Sequence, residues 1–556
     1  MITFDSFPEP FLVWRHEVYS GRGPNCYGII SLVWTYSLGR ESLPMKVLVA
    51  PDSSLEQRNA ELTPGPLALV ILALCFVIAV LPFLVPAIPA GTDVGKHLMV
   101  AHVLADYSDP LLGYSRYFTI VWRPLPTALG DLALASLVKL SEPLLAVKLY
   151  YLAFAAGLWI CARFYLTSLR QPAFAAILLF PLLHTFYVFS GFLPFIVTFA
   201  VYPLLLGILI GRPPSRLRSL VLALTLLVLY GFHPVGAAVG CFSVLFLSVD
   251  RERWSVSWIS VLSVLPASLL MAYFFLTKIR TTPQFHSPLG QIKAYVAYNV
   301  FSFSRSSSYL FVLLLFLLGA VAVWDAVHNR TFHGRLLVLA AVLIAVGLVM
   351  PYQVGGDFII GSRTLPFAII TTVGALRWSP KRLRAAALAA SLFLIFSAAL
   401  NLHQLLAVQA SYRVFLSGMP SVKLGSKILP IIEDVRFGGN EYMYPFNGVE
   451  DLYNVYRGGA NPYVFADPIV RTGGNLLHAT FSRSYTSKFL GGGTPDYRGV
   501  SNDYDYIICW GCPPAVTAVI EREGLVVFKN GLLSVYQGSS QRTLWYKADD
   551  CCSGSN

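Results

Sequence analysis

The segment Ala90–Pro110, AGTDVGKHLMVAHVLADYSDP, decides how the rest of the chain is read. It follows Leu67–Pro89, the first long apolar run, so its polar residues stand where the chain leaves hydrocarbon. About 20 apolar residues suffice to cross a bilayer core of roughly 30 Å. Asp93 and His97 are four residues apart and share one face of a helix. An acid and an imidazole at a membrane surface are equipped for proton chemistry. Thr92 or Asp93 is equally suited to cap a helix beginning at Val94, where Asp also complements the helix dipole. Both readings stand at this point.

Working outward, the composition sets the class. Of the 556 residues, 56% are hydrophobic and 13% are charged, whereas soluble proteins average about 25% charged. The chain is expected to be an all-α polytopic membrane protein. Apolar runs follow the first at about 146–162, 172–188, 192–210, 218–231, 235–249, 255–277, 308–326, 335–350, 365–377 and 384–407, eleven spans with it. The net charge of +12 calls for no nucleic acid, because basic residues of membrane proteins gather in cytoplasmic loops. Eight cysteines are too scattered for a disulfide scaffold.

Those basic residues orient the chain. Arg163 and Arg170, Arg212 to Arg218, Arg251 and Arg253, Arg330 and Arg335, and Arg377 to Arg384 lie in alternate connections, which are therefore cytoplasmic. Pro126–Glu142 is too short and too polar to span and reads as an amphipathic helix on the outer surface. Residues 91–144 then form one long external loop with two surface helices. Residues 1–66 read as a cytoplasmic tail, with Met45 as an alternative start. The transmembrane region covers 67–407. From 408 to 556, Gly, Asn, Asp, Tyr and Pro replace the apolar runs, and an extracytoplasmic α/β domain is expected. Within it Asp505–Cys509 reads as a buried strand, Pro513–Glu523 as a helix with Pro at its start, and the region around Lys529-Asn530-Gly531 as a hairpin. The Cys509-Trp-Gly-Cys512 pair reads as a structural disulfide or two thiols, with no thioredoxin-like context for a redox role.

Several residues on the external side carry candidate chemistry. Arg363, in the glycine-rich loop 351–366, suits a pair of phosphate oxygens, and Asp357 is placed to orient it or to meet a sugar hydroxyl. His233, in GFHPVG, sits at an external turn, and His184 reaches the same side. The basic, aromatic loop 278–307 contains Arg280 and His286 and reads as a gate for a lipid phosphate. Arg280 and Lys96 are the further cations expected to bind substrate. Asp131 is expected on the wet side of its surface helix.

This arrangement resembles the GT-C superfamily of membrane glycosyltransferases. The resemblance rests on the first span, the long first external loop opening with Thr92-Asp93-Val94-Gly95-Lys96-His97, and Arg363-x-x-Pro-Phe entering a late span. It implies a polyprenyl-phosphate sugar as donor and a glycan, lipid or protein as acceptor. It also implies Asp93 as the base that takes the acceptor proton, with His97 beside it, and Arg363 on the departing phosphate. Many relatives carry a second acid in the next external turn. Here that turn, FYVFSGFLPF, has none, so neither a metal nor another cofactor is expected. A lipid-linked glycan polymerase or ligase, a transporter and a non-catalytic scaffold of the same design are the competing readings.

Overall fold

In hydrocarbon each backbone polar group must be satisfied within its own segment, so long apolar runs become helices. The computed structural model describes residues 65–250, 255–278, 283–328, 333–354, 357–433, 443–466, 476–481 and 497–539. Arg280, most of the N-terminal tail, Cys551 and Cys552 lie outside them, as does the side chain of Asp357. Helix α1 is Pro66–Leu84 and begins with proline, whose missing N–H costs nothing in a first turn. The external loop follows, with α2 (Val94–Ala105) and α3 (Ala128–Leu140) joined through the short strand β1 (Phe118–Ile120). Then come α4 (Pro143–Ser168), α5 (Leu193–Gly211), α6 (Arg216–Phe232), α7 (Pro234–Ser248), α8 (Leu265–Lys278), α9 (Pro288–Val300), α10 (Arg305–His328), α11 (Gly334–Val349), α12 (Leu365–Ala375) and α13 (Pro380–Leu416).

Among the described residues, six stretches are long and apolar enough to cross a membrane unaided: Pro66–Leu84, Pro143–Ser168, Leu193–Gly211, Trp258–Leu276, Arg305–Trp324 and Pro380–Ser421. The other five expected runs are helical but shorter. Between α4 and α5, Ala173–His184 is a 3₁₀ helix, and Pro181 inside it withholds a donor. The other four are α6, α7, α11 and α12. Helix α13 continues to Leu416, so the change of composition near 408 falls inside a helix.

Both segments of the loop expected to be helical are helices, but α3 is turned differently. It buries Gly130, Asp131, Leu134, Ala135 and Val138. Gly130 lies so close to Pro194, at the start of α5, that a Cβ would meet the proline ring at 2.6 Å. That approach turns the adjacent Asp131 inward, only 5% exposed, which corrects the expectation of a wet position. The loop 278–307 contains α9, whose inner face holds the turn at Gly361–Thr364. Asn299 donates to the Ser362 carbonyl at 2.8 Å, and the Tyr295 and Thr364 hydroxyls are 3.3 Å apart.

The C-terminal region contains the expected sheet. Strand β2 is Ile428–Ile432, β3 Leu477–Ala479, β4 Tyr506–Trp510, β5 Leu525–Asn530 and β6 Leu533–Gln537, with helix α14 (Pro514–Glu523) after β4. The sheet order is β2-β4-β6-β5, with β2 parallel to β4 and the other neighbours antiparallel. Every residue of β4 is buried. Cys509 and Cys512 form a disulfide.

This region docks on the loop between α1 and α4. Strand β3 pairs antiparallel with β1, Phe118 opposite Ala479. The Tyr114 hydroxyl donates to the Asn454 carbonyl at 2.8 Å. Gly95 of α2 meets Gly448 backbone to backbone: a Cβ there would stand 1.7 Å from the Gly448 carbonyl oxygen. Replacing Gly95 by Ala must therefore part the two surfaces. Gly95→Ala is expected to destabilise the protein by about 1–3 kcal/mol, read as a lower Tm in detergent. Gly319→Ala, with nothing within 4 Å of its would-be Cβ, is expected to leave Tm unchanged.

Candidate functional site

The site is built on the start of α2. Asp93 is the residue before the first helical turn, yet its side chain makes no capping hydrogen bond. Its backbone N–H instead donates to the Ser190 carbonyl at 2.9 Å. The turn Phe186–Gly191 is thereby seated against the loop opening. Gly191, with φ of +80°, leaves room for Val94. The Asp93 charge is close enough to bear on both Lys96 and Tyr151.

One turn on, the His97 Nδ1 lies 3.3 Å from the Asp131 Oδ1. This carboxylate from α3 was not among the expected site residues. Its signal was present in the sequence as an acid in the first turn of a surface helix, but nothing local said which way it faced. The His97 ring also meets Phe465 edge to face, with centroids 5.3 Å apart.

His233 and Arg363 come together, 130 residues apart in sequence, with His233 Nε2 and Arg363 Nη1 separated by 2.5 Å. Both are buried. The Arg363 guanidinium lies over the rings of Phe192 and Phe195, at 5.2 and 5.3 Å from their centroids. Its Nε has no hydrogen-bond partner, and among the described residues no carboxylate pairs with it. The His233 Nδ1 accepts the Val235 N–H at 3.1 Å. A neutral imidazole accepts at one ring nitrogen only, so accepting from the Val235 N–H and accepting from the Arg363 guanidinium belong to alternative tautomers. Burial, Arg363 and His97 push the His233 imidazole well below its usual range, which keeps it neutral. His233 thus lies close enough to feel both His97 and Arg363, and it links the first loop electrostatically to the late turn.

Backbone geometry supports that turn. Gly361–Thr364 is a 3₁₀ turn leading into α12. Ile359 just before it adopts φ of 56°, a left-handed conformation that is costly for a β-branched residue. Asp357 belongs to a two-residue strand paired with Gln353–Val354.

The structure gives Lys96 partners other than the expected substrate. It is 5% exposed, with its ammonium 3.1 Å from Glu450 and 3.6 Å from Asp451. Burial by itself would lower the amine, but Glu450, Asp451 and Asp93 outweigh it and hold Lys96 above its ordinary value. Burial pushes the Asp451 carboxyl up to about 7, against the pull of Lys96. His184 is likewise committed, bonded to Ser397 at 2.7 Å and to the Ala79 carbonyl at 2.9 Å. His286 packs on Tyr352. Among the described residues no group of three or more His, Cys, Asp or Glu is arranged to hold a metal.

No protein-family model and no curated protein sequence matches the chain. In fold it is similar to ArnT from Cupriavidus metallidurans in the apo state, with a TM-score of 0.52 and 12% identity over 85% of this chain and 98% of that one. It is equally similar to ArnT bound to undecaprenyl phosphate, at 0.52 and 11% identity over 84% and 97% of the two chains. The arabinofuranosyltransferase AftD from mycobacteria also matches, at 0.44 and 12% identity over 84% of this chain and 41% of that one. The likeness to ArnT is one of fold: this chain is a mostly helical protein with the architecture of ArnT and six helices apolar enough to cross a membrane among its described residues.

The Lys96 cluster yields a test of its own. Removing one partner from a buried ion pair leaves the others uncompensated. Lys96→Met is expected to destabilise by about 3–5 kcal/mol, read as a loss of thermal stability. Adding Asp451→Asn to Lys96→Met is expected to recover part of it.

Proposed function

We propose that the chain is a membrane glycosyltransferase that moves a hexosyl or pentosyl group from a polyprenyl-phosphate donor to an acceptor hydroxyl on the extracytoplasmic side, with inversion. The observation that carries this reading is the Arg363 guanidinium, buried with its Nε unpartnered and with no carboxylate against it among the described residues. A buried charge of this kind demands a counter-ion. An oxyanion accepting from that Nε would supply the guanidinium with a charge-assisted bond. A phosphate meets that need, and ArnT, which shares the fold, has been solved with undecaprenyl phosphate bound.

The chemistry follows from the charge pattern. The bond from the acceptor oxygen to the sugar carbon forms as the bond from that carbon to the phosphate oxygen breaks. The acceptor proton passes to the Asp93 carboxylate, and the charge gained by the leaving polyprenyl phosphate falls on Arg363. His97 lies on the same helical face as Asp93, positioned for substrate between the two ends of the site. Asp357, shortly before Arg363, is assigned to a sugar hydroxyl. Lys96 keeps the loop in place. The C-terminal region, docked on that loop, then lies outside the cytoplasm, near the incoming acceptor.

Asp93→Asn is expected to cut transfer by about 10²–10⁴-fold with donor binding and Tm retained. Arg363→Gln is expected to weaken donor binding roughly 10- to 100-fold. Both are measured in nanodiscs as polyprenyl phosphate released from a panel of synthetic polyprenyl-phosphate hexoses and pentoses. Undiminished transfer by Asp93→Asn would remove the carboxylate from the mechanism.

A further inference from the structure

The external turn that follows the first loop, FYVFSGFLPF, carries no acid. The structure brings a different carboxylate to the site, Asp131 from α3. It is 5% exposed, and a buried carboxylate is costly unless it is paired. Among the described residues its one side-chain hydrogen-bond partner is His97, whose Nδ1 is 3.3 Å from Oδ1. The neighbouring ammonium of Lys96 is occupied by Glu450 and Asp451. Asp131 is held in place rigidly, since Gly130 is pressed against Pro194 and the Asp131 N–H donates to the Thr127 carbonyl at 3.1 Å.

A carboxylate can only accept from a neutral imidazole, so the pairing selects the tautomer with its proton on Nδ1. We propose that Asp131 is the second acid of this site, a positioning residue that holds His97 with Nδ1–H toward its own carboxylate and leaves Nε2 as an acceptor for a carbohydrate hydroxyl. The proposal rests on the glycosyl-transfer reading and deepens it. An unprotonated Nε2 does not donate to phosphate, so the anion falls to Arg363, while His97 and Asp93 serve the hydroxyl side. The acid absent from the second external turn is thus supplied from the second surface helix of the first loop, and it acts through an imidazole.

Two measurements test this, and the first needs no substrate. In nanodisc-embedded protein labelled with ¹⁵N-histidine, His97 is identified by the signal missing from His97→Ala. Its neutral ring is expected to be protonated on Nδ1 in the native chain and in Asp131→Glu. In Asp131→Asn it is expected to move substantially to the Nε2 form, because an amide can also donate. The second is transfer from the panel of synthetic donors. Asp131→Asn is expected to lose on the order of 10- to 100-fold, Asp131→Glu to regain most of it, and Asp131→Asn combined with His97→Ala to lose no more than His97→Ala alone. An unchanged tautomer in Asp131→Asn, or losses that multiply in the double variant, would overturn the proposal. A native chain that shows the Nδ1 tautomer and its loss in Asp131→Asn, but transfers nothing from any donor, overturns the transfer reading and leaves the hold of Asp131 on His97 standing.

Discussion

A single ammonium group, Lys96, sits between two carboxylates from a region 354 residues further along the chain. Through that contact the C-terminal region meets the loop that holds the site. It is not a large source of stability, because taking three charges out of water costs about as much as their attraction returns. What it supplies is specificity: any other docking of the C-terminal region leaves at least one buried charge unpaired. The close approach of Gly95 to Gly448 and the pairing of β1 with β3 then follow as a complementary surface rather than as independent sources of affinity.

With α2 held on that side, its other contacts define the site. The Ser190 carbonyl holds the N–H of Asp93, and Asp131 holds the His97 ring. The late turn enters from the opposite direction, clamped by Asn299 and Tyr295 and carrying Arg363 onto two phenylalanine faces. Acidic and imidazole groups thus collect at the loop opening, and a cationic donor stands at the late turn. A reaction that takes a proton at one point and releases an anion at another needs this separation. Neutralising Arg363 directly with a carboxylate would abolish it.

Much of this was legible from composition and periodicity. Eleven apolar runs, a proline-headed helix, a buried strand at DYIIC and a hairpin at Lys529-Asn530-Gly531 are local patterns, and local patterns are set by residues a few positions apart. The site was legible only as separate pieces. Asp93, His97, His233 and Arg363 stood out as polar groups at the edge of hydrocarbon, where each needs a reason to be present. Lys96 stood out for the same reason, and there the inference went to the wrong partner, because an external lysine and a lysine buried in an ion cluster look alike in sequence. Asp131 was misread for a related cause. Amphipathic patterning gives the face of a helix, whereas the rotation of α3 is decided by how closely Gly130 can approach Pro194.

The amino-acid sequence alone determined that this chain carries many apolar helical segments and, after them, an α/β unit, because hydrocarbon and water sort residues by polarity over short windows. Only the tertiary structure decided which charges meet. Pairings across 34, 130 and 354 residues depend on the packing of helices whose sequences do not encode one another's positions. The guanidinium of Arg363 came to lie without a carboxylate among the described residues only because folding buried it beside His233.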